Sequence, residues 1–132
     1  MADKPITIAI VDDEHFVRTV LKTVIINLGL TLVGEAGNGS EAVKLYREKK
    51  PSLMLMDINM PVKNGDEALQ EIRAEFPEAK VIMLTSVADY TTVKRCIALG
   101  ALNYILKDNS VEELENRLKK MLSTLQSMGT VP

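Results

Sequence analysis

Five short apolar runs, each followed by an amphipathic stretch, constrain the fold of this chain more than any other feature. Residues 6–11 (ITIAIV), 31–36 (TLVGEA), 53–56 (LMLM), 79–84 (AKVIML) and 103–106 (NYIL) have strand length and are flanked by turn residues. Three of them are almost continuously apolar, as expected of strands covered on both faces in a parallel sheet. Between them, apolar residues return at helical spacing. Val17, Val20, Leu21, Val24 and Leu28 form the first stripe, with Gly29 as the stop. The second helix starts near 38–40 and runs to about 49, before Pro51. The third follows Gly65, carries Ala68, Leu69 and Ile72 on one face, and ends before Pro77. The fourth covers about 90–99 and closes on Gly100. The last opens with Ser110 and Glu113 as a capping box, and its stripe is Val111, Leu114, Leu118, Met121, Leu122 and Leu125.

This alternation predicts an α/β fold of the (βα)5 kind, a doubly wound five-stranded parallel sheet with right-handed crossovers. A length of 132 residues suits one domain, read as residues 1–127, with 128–132 as a C-terminal tail or linker stub. The 46% apolar and 26% charged content is that of an ordinary soluble globular protein. With 16 basic and 18 acidic residues well mixed, the net charge of −2 argues against non-specific binding to nucleic acid or an anionic membrane. The lone cysteine, Cys96, cannot form an internal disulfide and reads as a small buried hydrophobe in a reducing compartment. Seven methionines scattered over strands and helix faces read as core filler. No apolar run approaches membrane-spanning length and the N-terminus is not signal-like, so the expected location is cytoplasmic.

In an open parallel sheet, ligands bind outside the carboxyl ends of the strands. The first strand ends in Asp12 and Asp13 with Glu14 just beyond, the third in Asp57, the fourth in Thr85 and Ser86, the fifth in Lys107. Clustered carboxylates repel unless a positive group sits among them, and a divalent metal that prefers oxygen meets that need. Mg2+ fits best, because it takes few carboxylates and leaves positions for phosphoryl oxygens. Zinc is disfavoured, since the single histidine, His15, reads as an exposed residue of the first helical turn. A carboxylate held beside such a metal can attack phosphorus, which gives Asp57 a role as nucleophile. Thr85 and Lys107 are then positioned for phosphoryl oxygens. Taken singly, Asp12 and Asp13 also read as acids capping the next helix, and Lys107 as a solvated charge. All five at one sheet edge favour the phosphoryl-transfer reading.

The segments VDDE (11–14), LMLMDINMPVKNG (53–65), VIMLTS (81–86) and GALNYILKD (100–108) together resemble the receiver domains of two-component response regulators, the CheY-like fold. The resemblance runs from Ile6 to about Leu125. It implies a flavodoxin-like strand order of 2-1-3-4-5, with Asp57 as phospho-acceptor. Asp13, Asp57 and the backbone carbonyl of Asn59 would ligate Mg2+ directly, and Asp12 would hold it through water. Thr85 and Lys107 would contact the phosphoryl group. Tyr104 matches the aromatic switch, turning inward as Thr85 moves and altering the surface of the fourth helix, fifth strand and fifth helix, where partners dock. Met60, Pro61 and Gly65 fit the turn after the acceptor strand. The implied protein is a signalling switch in a two-component or phosphorelay system, not an enzyme with a turnover substrate. It would catalyse only its own phosphorylation and dephosphorylation. The implied partners are a sensor histidine kinase or histidine phosphotransfer protein and a downstream effector protein, with no direct nucleic acid and no membrane.

Three features stand apart. Lys107-Asp108 replaces the family's usual Lys-Pro, and a cis bond before a non-proline costs roughly 2.5–4 kcal/mol, so a trans peptide with a changed loop is expected. Ser86 replaces a smaller residue beside Thr85 and narrows the donor's approach. Asn59 and Val87 occupy positions that tune dephosphorylation across the family. Two other readings compete. GNGSEA (37–42) satisfies a dinucleotide fingerprint, but Glu35 would oppose a pyrophosphate there, and Asp12, Asp13, Thr85 and Lys107 would be left without roles. A phosphohydrolase of the haloacid-dehalogenase type needs an acid two residues after its nucleophile, where this chain has Asn59. A receiver fold that is never phosphorylated is disfavoured by the full acid, threonine and lysine set.

Overall fold

Each apolar run becomes a parallel strand. The computed structural model describes residues 5–86 and 89–127, with side chains up to 124. The strands are β1 (Thr7–Val11), β2 (Thr31–Ala36), β3 (Leu53–Asp57), β4 (Val81–Thr85) and β5 (Asn103–Leu106). The helices are α1 (His15–Asn27), α2 (Gly39–Lys49), α3 (Gly65–Glu75), α4 (Tyr90–Ala98) and α5 (Val111–Ser127). They alternate in chain order, and the sheet runs β2-β1-β3-β4-β5, the order that the resemblance implied. The chain therefore reverses its direction of growth between β1 and β3, which are hydrogen-bonded neighbours, and opens a crevice at their carboxyl ends.

Strand side chains alternate between two cores, as the pleat requires. Ala9, Val11, Met54, Met56, Val81 and Met83 face α2, α3 and α4, against Val43, Tyr46, Leu69, Ile72 and Cys96. Ile8, Ile10, Leu53, Leu55, Ile82, Leu84 and Ile105 face α1 and α5, against Leu21, Val24, Ile25, Leu114, Leu118 and Met121. Strands β3 and β4 are buried at every position, which is why their sequences are unbroken apolar runs.

Several boundaries differ from the sequence reading by one or two residues. The fourth strand occupies Val81–Thr85 rather than 79–84. Ile25 is fully buried beside Leu21 and Val24, whereas Val17, Val20 and Leu28 are only partly covered. Val111 is a clearer departure: it has the phase of the α5 stripe but lies in the first turn, ahead of the stretch that packs on the sheet, and is 37% exposed. The side chain of Leu125, the residue Val87 and the tail 128–132 lie outside the described residues. The capping box of α5 is formed on both sides: Ser110 N–H donates to Glu113 Oε1 (3.0 Å), and Glu113 N–H to Ser110 Oγ (3.2 Å). Helices α1 and α4 run into Gly29 and Gly100, both with positive φ. Cys96 is fully buried, and burial pushes its thiol up from the ordinary value. Among the described residues, no helix is long and apolar enough to cross a membrane.

Candidate functional site

Asp57 closes β3, so a strand buried at every position ends in a carboxylate that is itself 6% exposed. The chain then leaves the sheet in a tight loop. Gly65 N–H returns to the Ile58 carbonyl (2.6 Å), and a Cβ on Gly65 would run into the Asp57 carbonyl oxygen, so only glycine allows that closure. At the loop tip, Lys63 N–H donates to the Pro61 carbonyl (2.7 Å) around Val62, whose φ is +68°. A left-handed β-branched residue is strained, and such strain collects at functional loops. The loop is also held from the side, because Gly39 N–H donates to the Lys63 carbonyl (3.0 Å). A Cβ on Gly39 would clash with that same carbonyl. The glycine of the apparent dinucleotide fingerprint thus serves a close packing contact with the acceptor loop.

Asp12 follows β1 and is fully buried. Its Oδ1 accepts the Glu14 N–H (2.8 Å), its backbone N–H donates to the Ala36 carbonyl (3.1 Å), and its carbonyl accepts from Arg18 Nη1. Arg18 in turn pairs with Glu35 (3.1 Å), which also pairs with Lys22 (3.0 Å), so Glu35 is committed to the α1 cations. Asp13 is exposed. Among the described residues, Asp12, Asp13 and Asp57 each offer a carboxylate oxygen, all within 4.8 Å of one another.

Lys107 enters this acidic group from β5. Its N–H is fixed by the Thr85 carbonyl (2.9 Å), and the Lys107–Asp108 peptide is trans, as expected. The ammonium reaches Asp12 Oδ2 (3.0 Å), Glu14 Oε1 (3.0 Å) and Asp57 Oδ2 (3.2 Å). The contact with Asp12 Oδ2 is an ion pair without hydrogen-bond alignment, which leaves that buried oxygen with no hydrogen bond.

Burial, reinforced by the Asp12 charge, raises the Asp57 carboxyl from 3.8 to about 6 even though Lys107 opposes the shift. Burial also raises Asp12, against the Glu14 N–H and Lys107. Burial alone would disfavour the Lys107 ammonium, but Asp12, Glu14 and Asp57 outweigh it and hold that lysine above its ordinary value. The donor set is therefore three hard oxygen ligands in excess of one cation, with one buried oxygen unsatisfied. It fits a small divalent ion. A nucleophilic carboxylate at the centre of such a group suits attack on phosphorus.

Thr85 is buried at the end of β4, and its hydroxyl donates to the Ser86 carbonyl (3.0 Å) rather than toward Asp57. Ser86 itself is exposed. Tyr104, at 39% exposure on the edge strand, lines a groove of about 550 Å³ with Thr85, Tyr90, Val93, Ile97 and Leu106. Asn59 is exposed, and its side-chain amide donates to Asp89 Oδ2 (3.2 Å), just ahead of α4. His15 is exposed at the start of α1. Asp12, Asp13, Asp57 and Lys107 are thus brought together, while the Thr85 hydroxyl and the Asn59 side chain point to other partners. Sequence reasoning passed over Arg18 and gave Glu14 no role. Glu14 was visible in the VDDE run, but its reach to Lys107 lies 93 positions away along the chain.

The family model of the response regulator receiver domain matches residues 8–119. The chain is 39% identical over 114 residues to the chemotaxis protein CheY of Thermotoga maritima, covering 86% of this chain and 95% of that protein. It is 36% identical over 121 residues to the probable C4-dicarboxylate response regulator DctR of Bacillus subtilis, covering 91% of this chain but only 54% of that protein. Among solved structures, a chain of the CheX–CheY–BeF3–Mg2+ complex from Borrelia burgdorferi superposes with a TM-score of 0.83 at 28% identity, covering 89% of this chain and 90% of that one.

Proposed function

The chain belongs to the response regulator receiver family of two-component signalling, and from that premise we propose that it is a phosphorylatable switch with Asp57 as the acceptor. A phosphohistidine on a sensor histidine kinase or a histidine phosphotransfer protein supplies the phosphoryl group. An Asp57 oxygen attacks phosphorus, and the phosphorus–nitrogen bond breaks with its electron pair left on the imidazole. Asp13, Asp57 and the Asn59 carbonyl would hold Mg2+ directly and Asp12 through water, and the ion would neutralise the charge that gathers on the phosphoryl oxygens. The Borrelia complex, which holds both Mg2+ and beryllofluoride, supports that choice of ion.

The receiver's own residues do the rest. The β3 end fixes the acceptor, and burial excludes competing water from it. Lys107 loses its Asp57 partner when that oxygen becomes part of the acyl phosphate and turns its ammonium to a phosphoryl oxygen. Thr85 exchanges the Ser86 carbonyl for the same group, which opens space for Tyr104 to move inward. The groove beside Tyr104 changes shape, and the α4-β5-α5 surface passes the signal to a downstream effector protein. The domain comprises residues 1–127, with 128–132 as a tail or linker, and acts in the cytoplasm without contacting nucleic acid or membrane itself. Its catalysis is confined to its own phosphorylation and autodephosphorylation.

The observation that carries this reading is one ammonium within 3.0–3.2 Å of Asp12 and Asp57 in a three-carboxylate cluster. The test is labelling by radioactive acetyl phosphate. The wild-type protein takes up base-labile label only with Mg2+, and Asp57→Asn takes up none. Normal labelling of Asp57→Asn refutes the assignment.

A further inference from the structure

We propose that Glu14 is a positioning residue that competes with the phosphoryl group for the Lys107 ammonium and so loosens the hold of the site on it. The proposal rests on the reading of Asp57 as acceptor. Lys107 Nζ has three N–H donors, and three carboxylates surround it: it hydrogen-bonds Glu14 Oε1 (3.0 Å) and Asp57 Oδ2 (3.2 Å) and forms an ion pair with Asp12 Oδ2 (3.0 Å). Two of these partners are buried strand-end acids that take part in the site chemistry. Glu14 differs, with a side chain that is 61% exposed. It is neither the acceptor nor one of the clustered acids, so its claim on Lys107 persists when the other two change partners.

A phosphoryl group on Asp57 presents oxygens that need the same donors. Glu14 approaches the ammonium from the solvent side, since Lys107 is 14% exposed and the other two carboxylates lie deeper. Its pull therefore draws the ammonium toward the rim and away from the acceptor. Glu14 contributes little else to the fold. It is the N-cap residue of α1, but its side chain makes no capping hydrogen bond, and the contact with Asp12 Oδ1 uses its backbone N–H.

The test is a titration with beryllofluoride at saturating Mg2+, followed by fluorine NMR, on the wild type, Glu14→Gln, Glu14→Asp and Asp57→Asn. Glu14→Gln removes the charge; Glu14→Asp keeps it on a stem too short to reach Lys107. Both are expected to bind the phosphoryl mimic about two- to five-fold more tightly than the wild type, the range for one partly exposed ion pair. Unchanged or weaker binding in Glu14→Gln overturns the proposal, because Glu14 would then anchor Lys107 rather than compete for it. Tighter binding in Glu14→Gln with wild-type binding in Glu14→Asp also overturns it, in favour of general charge repulsion. Wild-type binding by Asp57→Asn, in contrast, refutes the acceptor assignment on which the proposal rests.

Discussion

At the scale of single residues, the site concentrates negative charge where water is scarce. Asp57 binds its proton more tightly folded, near 6, than unfolded, near 3.8. The folded state thus holds more of this proton between those values, so stability falls as pH rises through that window and stays reduced above it. In metal-free buffer, Asp57→Asn is expected to raise neutral-pH stability by roughly 1–3 kcal/mol and to flatten the decline between about pH 4 and 6. Urea unfolding across that range checks it; an Asp57→Asn protein no more stable than wild type at pH 7 contradicts it. The acids and Lys107 were legible because strand ends in a parallel sheet converge, and the sequence shows where strands end. The reach of Glu14 to Lys107 and the turn of the Thr85 hydroxyl to Ser86 are rotamer choices made by neighbours from other segments, and spacing along a chain does not encode them.

Elements show the same division. Helix stripes, the α5 capping box and the unbroken runs of β3 and β4 were all readable, since each follows from a period or a cap within a few residues. Ser110→Ala should cost about 1 kcal/mol, because it removes the hydroxyl that accepts the Glu113 N–H. What periodicity missed was tertiary. Val111 has the right phase but is left 37% exposed, and GNGSEA matches a cofactor fingerprint although Gly39 answers to Lys63 of a distant loop. Gly39→Ala should therefore destabilise the fold by about 1–3 kcal/mol through that backbone clash, measured by urea unfolding, and leave the protein without affinity for NAD. A neutral Gly39→Ala would show that the acceptor loop does not depend on close contact with α2.

For the whole molecule, a sheet order that changes direction between β1 and β3 opens one crevice and brings acids from two strands into it. Beyond β3, strands β4 and β5 carry the Thr85–Tyr104 groove, so on the proposed reading a charge change at Asp57 would act one strand away from that groove. Added Mg2+ should raise the melting temperature of the wild type progressively with concentration and that of Asp57→Asn much less, because only the folded state gathers the ligands. An equal rise in both proteins contradicts a site built around Asp57. The most direct measurement is borohydride trapping after incubation with acetyl phosphate and Mg2+, with peptide mass spectrometry to locate the reduced residue. The account predicts homoserine at position 57 and nowhere else. Reduction at another acid, or none despite stable labelling, would contradict it.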